Sequence, residues 1–230
     1  MFYWSPRPEY ARATGLTPHL NEEALPIEPP EEQSTGFIKA AASRGVQRFV
    51  MLSAWGPESV AETSLRESGM QWTSVSPSWF NQNVSDDYEQ KFREDIRAGE
   101  MVTSYGASTF AFIDADDIAD VVVAALLEDG HHGQSYRLTG PRSLSFAQAA
   151  QEIAQALGRP ISYTELTPEQ YAQRLISVGL PSELAAGISD MGPEEWREEP
   201  TGDVQRALGR APKDFADYAR ETAATGAWNA

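Results

Sequence analysis

The chain has no cysteine in its 230 residues. That excludes a disulfide framework and a thiolate nucleophile, and it suits a reducing compartment, so a cytoplasmic location is expected. Histidine is almost as scarce, with only His19, His131 and His132. The adjacent pair lies between Gly130 and Gly133 and reads as a solvated surface turn rather than part of a zinc site. Positive charge is the rarer sign: 18 Lys and Arg against 34 Asp and Glu give a net charge of −16. A nucleic-acid partner needs a basic face, so none is expected; the acidity reads as solubility. No apolar run approaches the roughly 18 residues of a membrane span. The opening MFYWSPRPEY lacks the basic start and apolar core of a signal peptide, so no membrane association is expected. No G-x-S-x-G elbow is present, which argues against Ser/His/Asp hydrolysis. Asp114, Asp116 and Asp117 lack the glycine and the distant glutamate of a calcium loop and read as a helix cap. No metal is expected.

What is there is organised around residues 45–83, GVQRFVMLSAWGPESVAETSLRESGMQWTSVSPSWFNQN. Val46–Leu52 is a β-branched and aromatic run that ends in small residues. Pro57–Ser68 reads as a helix with proline at its first position, and Gly69 stops it. Met70–Ser76 is a second apolar run, ended by Pro77. Strand, helix and strand at this spacing make a βαβ unit with parallel strands. Ligands of such sheets lie beyond the carboxyl ends of the strands, which here carry residues 53–56 and 77–83.

Before this unit, six prolines between Pro6 and Pro30 make residues 6–33 read mostly as loop. Ser34 reads as the cap of a helix to Arg44, with Phe37, Ile38, Ala41 and Ala42 as its apolar stripe. After it, helices are expected over 86–98, 114–128, 146–157, 168–178, 181–190 and 214–223. Strands are expected near 101–103, 110–113, 135–139 and 161–165. Ser145 and Thr167 precede two of these helices as caps. Strands alternating with helices, then a helix-rich tail, define an α/β fold.

Four stretches in order resemble the NmrA-like family, atypical relatives of the short-chain dehydrogenases/reductases. They are GVQRFVMLSAWG (45–56), SGMQWTSVSPSWFNQN (68–83), FAFIDADDIADVVVAALLED (110–129) and YRLTGPRSLSFAQAAQEIAQALGRPISY (136–163); the tail LGRAPKDFADYARE (208–221) is also similar. The resemblance spans about residues 34–221. It implies a shortened Rossmann-like parallel sheet with a helical carboxyl-terminal cap, divided as a core over 1–142 and a cap over 143–230. The sequence departs from the family in carrying no GxxGxxG-like turn. That turn brings backbone N–H groups and a helix end to the cofactor pyrophosphate. Phe2-Tyr3-Trp4 is similar to the family's fourth strand. A Tyr-x-x-x-Lys pair is missing too, with lysine confined to Lys39, Lys91 and Lys213, and Ser76-Pro77 stands for the family's Arg-Pro.

The candidate catalytic residues are Ser53, which can orient a carbonyl, Asn83, which can hydrogen-bond a ligand, and Tyr105, a general acid by fold analogy. Each has a plainer alternative: Ser53 as a turn serine, Asn83 and its neighbour Asn81 as caps. Trp55, Ser78, Trp79 and Phe80 are the candidate substrate-binding residues; the aromatics line a pocket or pack as core. Without the phosphate loop, no cofactor-binding residue is assigned and no tight NADP(H) binding is expected. The expected function is therefore a cofactor-independent enzyme on a small apolar molecule, by cyclisation, isomerisation or dehydration. One alternative is an NAD(P)H-dependent oxidoreductase whose cofactor half is missing or supplied by another chain, with NADP as cofactor only in that case. Another is a non-enzymatic ligand sensor or regulator. An unpaired sheet edge implies a homodimer or a partner chain.

Overall fold

The computed structural model describes residues 30–53, 59–86, 91–189 and 196–229. The expected strand at residues 2–4, the loop over 6–29 and Trp55 lie outside them. Helix α1 (Pro30–Ser43) leads to β1 (Arg48–Leu52). It starts a turn earlier than the Ser34 cap implied, because Pro30 already has the backbone angle of a first helical residue. Helix α2 (Val60–Arg66) follows, capped by Ser59, whose hydroxyl accepts from the Glu62 N–H, and then β2 (Gln71–Pro77). A 3-10 turn (Asn81–Val84) precedes α3 (Phe92–Ala98), β3 (Glu100–Thr103), β4 (Thr109–Phe110) and α4 (Ala115–Leu127). The rest of the described chain is β5 (Gln134–Leu138), β6 (Leu144–Ser145), α5 (Phe146–Leu157), β7 (Ser162–Glu165), α6 (Pro168–Ser177), α7 (Ser182–Ser189), α8 (Asp203–Leu208) and α9 (Phe215–Thr225).

The main sheet has the order β1-β2-β5 and is fully parallel, in register from Arg48↔Gln71 and from Thr73↔Gln134. Side chains alternate across it. On one face Phe49, Met51 and Trp72 pack under α1 and α2 with Ile38, Leu65 and Met70. On the other, Val50, Val75, Tyr136 and Leu138 pack under α4 and α8 with Ile118, Val121 and Val204. The strands of a sheet covered on both faces are expected to be apolar throughout. β2 departs from this with the buried Thr73, Ser74 and Ser76; Ser74 donates to the buried Glu62 carboxylate at 2.6 Å, which Ser135 and Arg66 also reach. Phe37 does not complete the inner stripe of α1: it is 67% exposed, its ring centroid 6.0 Å from that of Phe49.

The cap forms a second core around Phe146. Ser145 caps α5 through a reciprocal pair with Gln148, and this fixes where Phe146 enters the interior. The Phe146 ring meets those of Trp79, Phe92, Tyr105 and Phe112 at centroid distances of 5.1–5.5 Å. Such pairs add about 0.5–1.5 kcal/mol each to area burial. Parallel pairing of β3 with β7 and antiparallel pairing of β4 with β6 carry the chain around this cluster. Its residues come from both sides of position 142, Trp79, Phe92 and Met101 among those before it. Gly140 is where the two cores touch: a Cβ there would lie 2.0 Å from the Phe112 carbonyl oxygen.

Asp114 caps α4 by accepting from the Asp116 N–H, as the acidic run implied. His131 departs from the solvated reading. It is buried, with Nδ1 at 2.8 Å from the Tyr136 hydroxyl, and its neighbour His132 accepts the Trp72 N–H. The turn closes back onto the sheet, which a local reading of Gly-His-His-Gly cannot show.

Arg142 ties the cap together. Its guanidinium binds Glu152 on α5 and Asp214, the α9 cap, each through two oxygens. The Arg142 hydrogen bonds hold the Asp214 carboxyl below its usual value of 3.8. A lowered folded-state pKa contributes stability above the unfolded value and loses it as pH falls through the folded one. Arg142→Leu is therefore expected to cost about 1 kcal/mol at neutral pH. In urea melts across pH, its deficit should close once the pH passes below Asp214's folded pKa. A deficit that does not change with pH would mean the loss is only packing.

Candidate active site

The carboxyl ends of β1 and β2 are where a parallel sheet presents ligands. Ser53 follows β1 and is buried, its N–H donating to the Val75 carbonyl at 2.7 Å. Past Pro77 the β2 line runs on. The Ser78 N–H donates to Leu138, Phe80 bridges Ile113, and Ile113 exchanges hydrogen bonds with Trp79 and Asn81 at 2.8 Å each. The 3-10 turn then carries Gln82 to α4, where its amide binds both the Asp114 side chain and the Ala115 N–H. Asn83 is buried inside this turn, its N–H on the Phe80 carbonyl.

A strap from the carboxyl-terminal region crosses these ends. Thr109 donates to the Trp196 carbonyl and accepts the Glu198 N–H. The buried Glu198 carboxylate then accepts from the Ser78 hydroxyl, the Ala111 N–H and the Arg137 guanidinium. Arg137 also donates to the Pro77 carbonyl at 3.0 Å, and Thr201 binds Thr139 and Arg137. One ion pair thus fixes the first residue past β2, the strand beside it and the segment above.

The candidates separate by position. Ser53, Ser78, Phe80 and Asn83 lie at or just past strand ends, with Ser78 held by Glu198. Trp79 is 7% exposed and belongs to the aromatic core. Tyr105 is 1% exposed; it packs on Trp79 and donates its hydroxyl to the Ile188 carbonyl at 3.1 Å. Reading the sequence missed Glu198 and Arg137. Glu198 sits in the acidic run EEWREEP, with nothing local to single it out. It also missed that Asn81, fully buried, has neither its Oδ1 nor its Nδ2 hydrogen-bonded among the described residues.

This is a parallel α/β fold of the dinucleotide-binding type. It matches triphenylmethane reductase from Citrobacter sp., solved with NADP(H), at a TM-score of 0.70 and 18% identity, over 84% of this chain and 70% of that one. No family model matches the chain. It is 35% identical over 214 residues to an NAD(P)H azoreductase of Xenophilus azovorans, covering 86% of this chain and 73% of the relative. It is 32% identical over 197 residues to the oxidoreductase YesF of Bacillus subtilis, covering 82% and 68%. The chain belongs to the NmrA-like family of atypical short-chain dehydrogenases/reductases.

These relatives overturn the expectation of a cofactor-independent enzyme with no cofactor, since they are NAD(P)H reductases and oxidoreductases by name. The physical reason is that a dinucleotide is held at two ends by different residues. A missing glycine-rich turn speaks of the pyrophosphate end alone and says nothing of the nicotinamide end.

If the strap is held through Glu198, Glu198→Ala should free the Ala111 amide and speed its hydrogen exchange at least tenfold. The Val75 amide inside β2 should keep its protection. Unchanged exchange at Ala111 would show that the strap is held without this carboxylate.

Proposed function

We propose that the protein is an NAD(P)H-dependent oxidoreductase that reduces a small organic acceptor at the carboxyl ends of β1 and β2. The 35% identity with the NAD(P)H azoreductase across 73% of its length carries this reading. At the nicotinamide end the residues present fit: Ser53 stands past β1, and the unpaired Asn81 amide stands past β2. At the pyrophosphate end they do not, because no glycine-rich turn opens a helix after a strand among the described residues. When bound, the nicotinamide supplies a hydride. The Ser53 hydroxyl orients the acceptor's polar atom, Phe80 closes an apolar side, and the Glu198 strap keeps the Pro77–Asn81 stretch in place while water is excluded. Tyr105, committed to Ile188, packs beneath rather than supplying the proton.

The protein should oxidise NADPH or NADH when given an azo dye or a quinone, followed by loss of nicotinamide absorbance. Ser53→Ala should lower kcat/KM by about tenfold, in line with a lost orienting hydrogen bond. No oxidation above background with either cofactor and either acceptor would refute the reading.

The same reading assigns a cytoplasmic location, with its supply of reduced nicotinamide, and a partner at the open side of the sheet. Among the described residues β1 pairs only with β2, and Phe37, Leu52, Val60 and Leu127 are exposed on the elements around it. An apolar strand edge invites pairing, and a second copy in a two-fold contact is the commonest solution. Light scattering at micromolar concentration should give twice the chain mass of 25.3 kDa; a single-chain mass would remove the dimer from the proposal.

A further inference from the structure

We propose that Asn81 is the carboxamide-recognition residue of this site: its side-chain amide pairs with the primary carboxamide of the nicotinamide ring. The inference rests on the oxidoreductase reading and adds a residue role to it.

Asn81 is 0% exposed, and neither its amide oxygen nor its amide nitrogen has a hydrogen-bond partner among the described residues. Buried polar side chains are nearly always satisfied, because an unpaired one forfeits its hydration for nothing. Asn81 forfeits an acceptor and two donors together. Its backbone is settled: the N–H donates to Ile113 at 2.8 Å, Phe80 before it bridges the same residue, and Gln82 after it is fixed to the start of α4. The backbone is thus held in place while the buried side chain keeps its pairing capacity unspent. Preorganised binding groups have this property, and it is tolerated where a ligand offsets the cost.

Place and chemistry then limit the partner. Asn81 lies four residues past Pro77, on the line of β2 beyond its carboxyl end, where the sheet presents ligands. A side-chain amide offers a donor and an acceptor in one plane, and its complement is a group with the same pair reversed. A primary carboxamide is such a group; a quinone or an azo bond offers acceptors only.

The test uses the full chain and Asn81→Leu, a near-isosteric apolar change, with Asn81→Ala as a second variant should leucine not fit. If the amide is unspent in the free protein, Asn81→Leu should melt at the wild-type temperature or higher, since it removes an unsatisfied group. In calorimetric titrations, wild type should bind NADPH at least tenfold more tightly than the 3-acetylpyridine analogue, whose methyl ketone lacks the amide donors. The variant should lose at least tenfold for NADPH and bind the two alike. A variant that melts lower while binding NADPH as wild type does would make Asn81 a structural residue and overturn the proposal. Equal binding of NADPH by both proteins, whatever the melt, would do the same. If wild type binds neither dinucleotide, the oxidoreductase reading fails, and free nicotinamide decides the role of Asn81 by saturation-transfer resonance. A signal in wild type that is absent in Asn81→Leu upholds carboxamide recognition, and no signal in wild type overturns it.

Discussion

The carboxylate of Glu198 is the interaction on which the architecture of the site depends. Four stretches distant in sequence end on it or beside it: Pro77-Ser78 past β2, Ala111 before α4, Arg137 on β5 and the strap itself. A buried carboxylate is costly unless paired and hydrogen-bonded. Here one oxygen faces a guanidinium and the other a hydroxyl and an amide N–H, so the charge is stable only while all four stretches keep their places. Removing the carboxylate would therefore leave the Ser78 hydroxyl, the Ala111 N–H and the Arg137 guanidinium without this shared acceptor.

This coupling explains why the cap and the sheet are separate cores yet one scaffold. The aromatic cluster around Phe146 and the aliphatic cluster under α4 meet where Trp79 goes into the first and Phe80 packs against the second. Consecutive residues of one extended stretch thus enter different cores, as strand alternation requires. Gly140 lets the chain after β5 come within contact of Phe112, a closeness no side chain permits. The candidate site lies where these constraints converge.

Much of the fold was legible because its signals are local. The two strands within residues 46–77 follow from their apolar runs, and a helix does lie between them, but it is Val60–Arg66 with Ser59 as its cap, shorter than the expected 57–68, and Pro57 lies outside the described residues. Capping at Ser145 and Thr167 is written in three-residue spacings, and at Asp114 in an acidic first turn whose cap reaches two residues on; the structure reproduces all three caps. What was not legible depends on tertiary pairing. Phe37 shares the periodicity of Ile38 yet faces outward, and His131 is drawn inside by Tyr136. The site was legible only as a place. That Ser78 and Trp79 follow a strand end is a sequence statement. That one is held by a glutamate 120 residues away and the other sits among Tyr105, Phe110 and Phe146 is not.

The missing glycine-rich turn shows how an absence can mislead. Reduced nicotinamide is bound by charge and backbone donors at the pyrophosphate and by shape and a few hydrogen bonds at the ring. The first leaves a conspicuous motif, because only glycine lets a backbone approach so closely. The second leaves almost no motif, because the few polar side chains that can meet the ring are ordinary residues until their burial and pairing are known. Weighing the conspicuous end alone pointed away from redox chemistry. The inconspicuous end, for which we propose the buried Ser53 and the Asn81 amide with its hydrogen bonds unspent, is the one that carries the chemistry in an oxidoreductase.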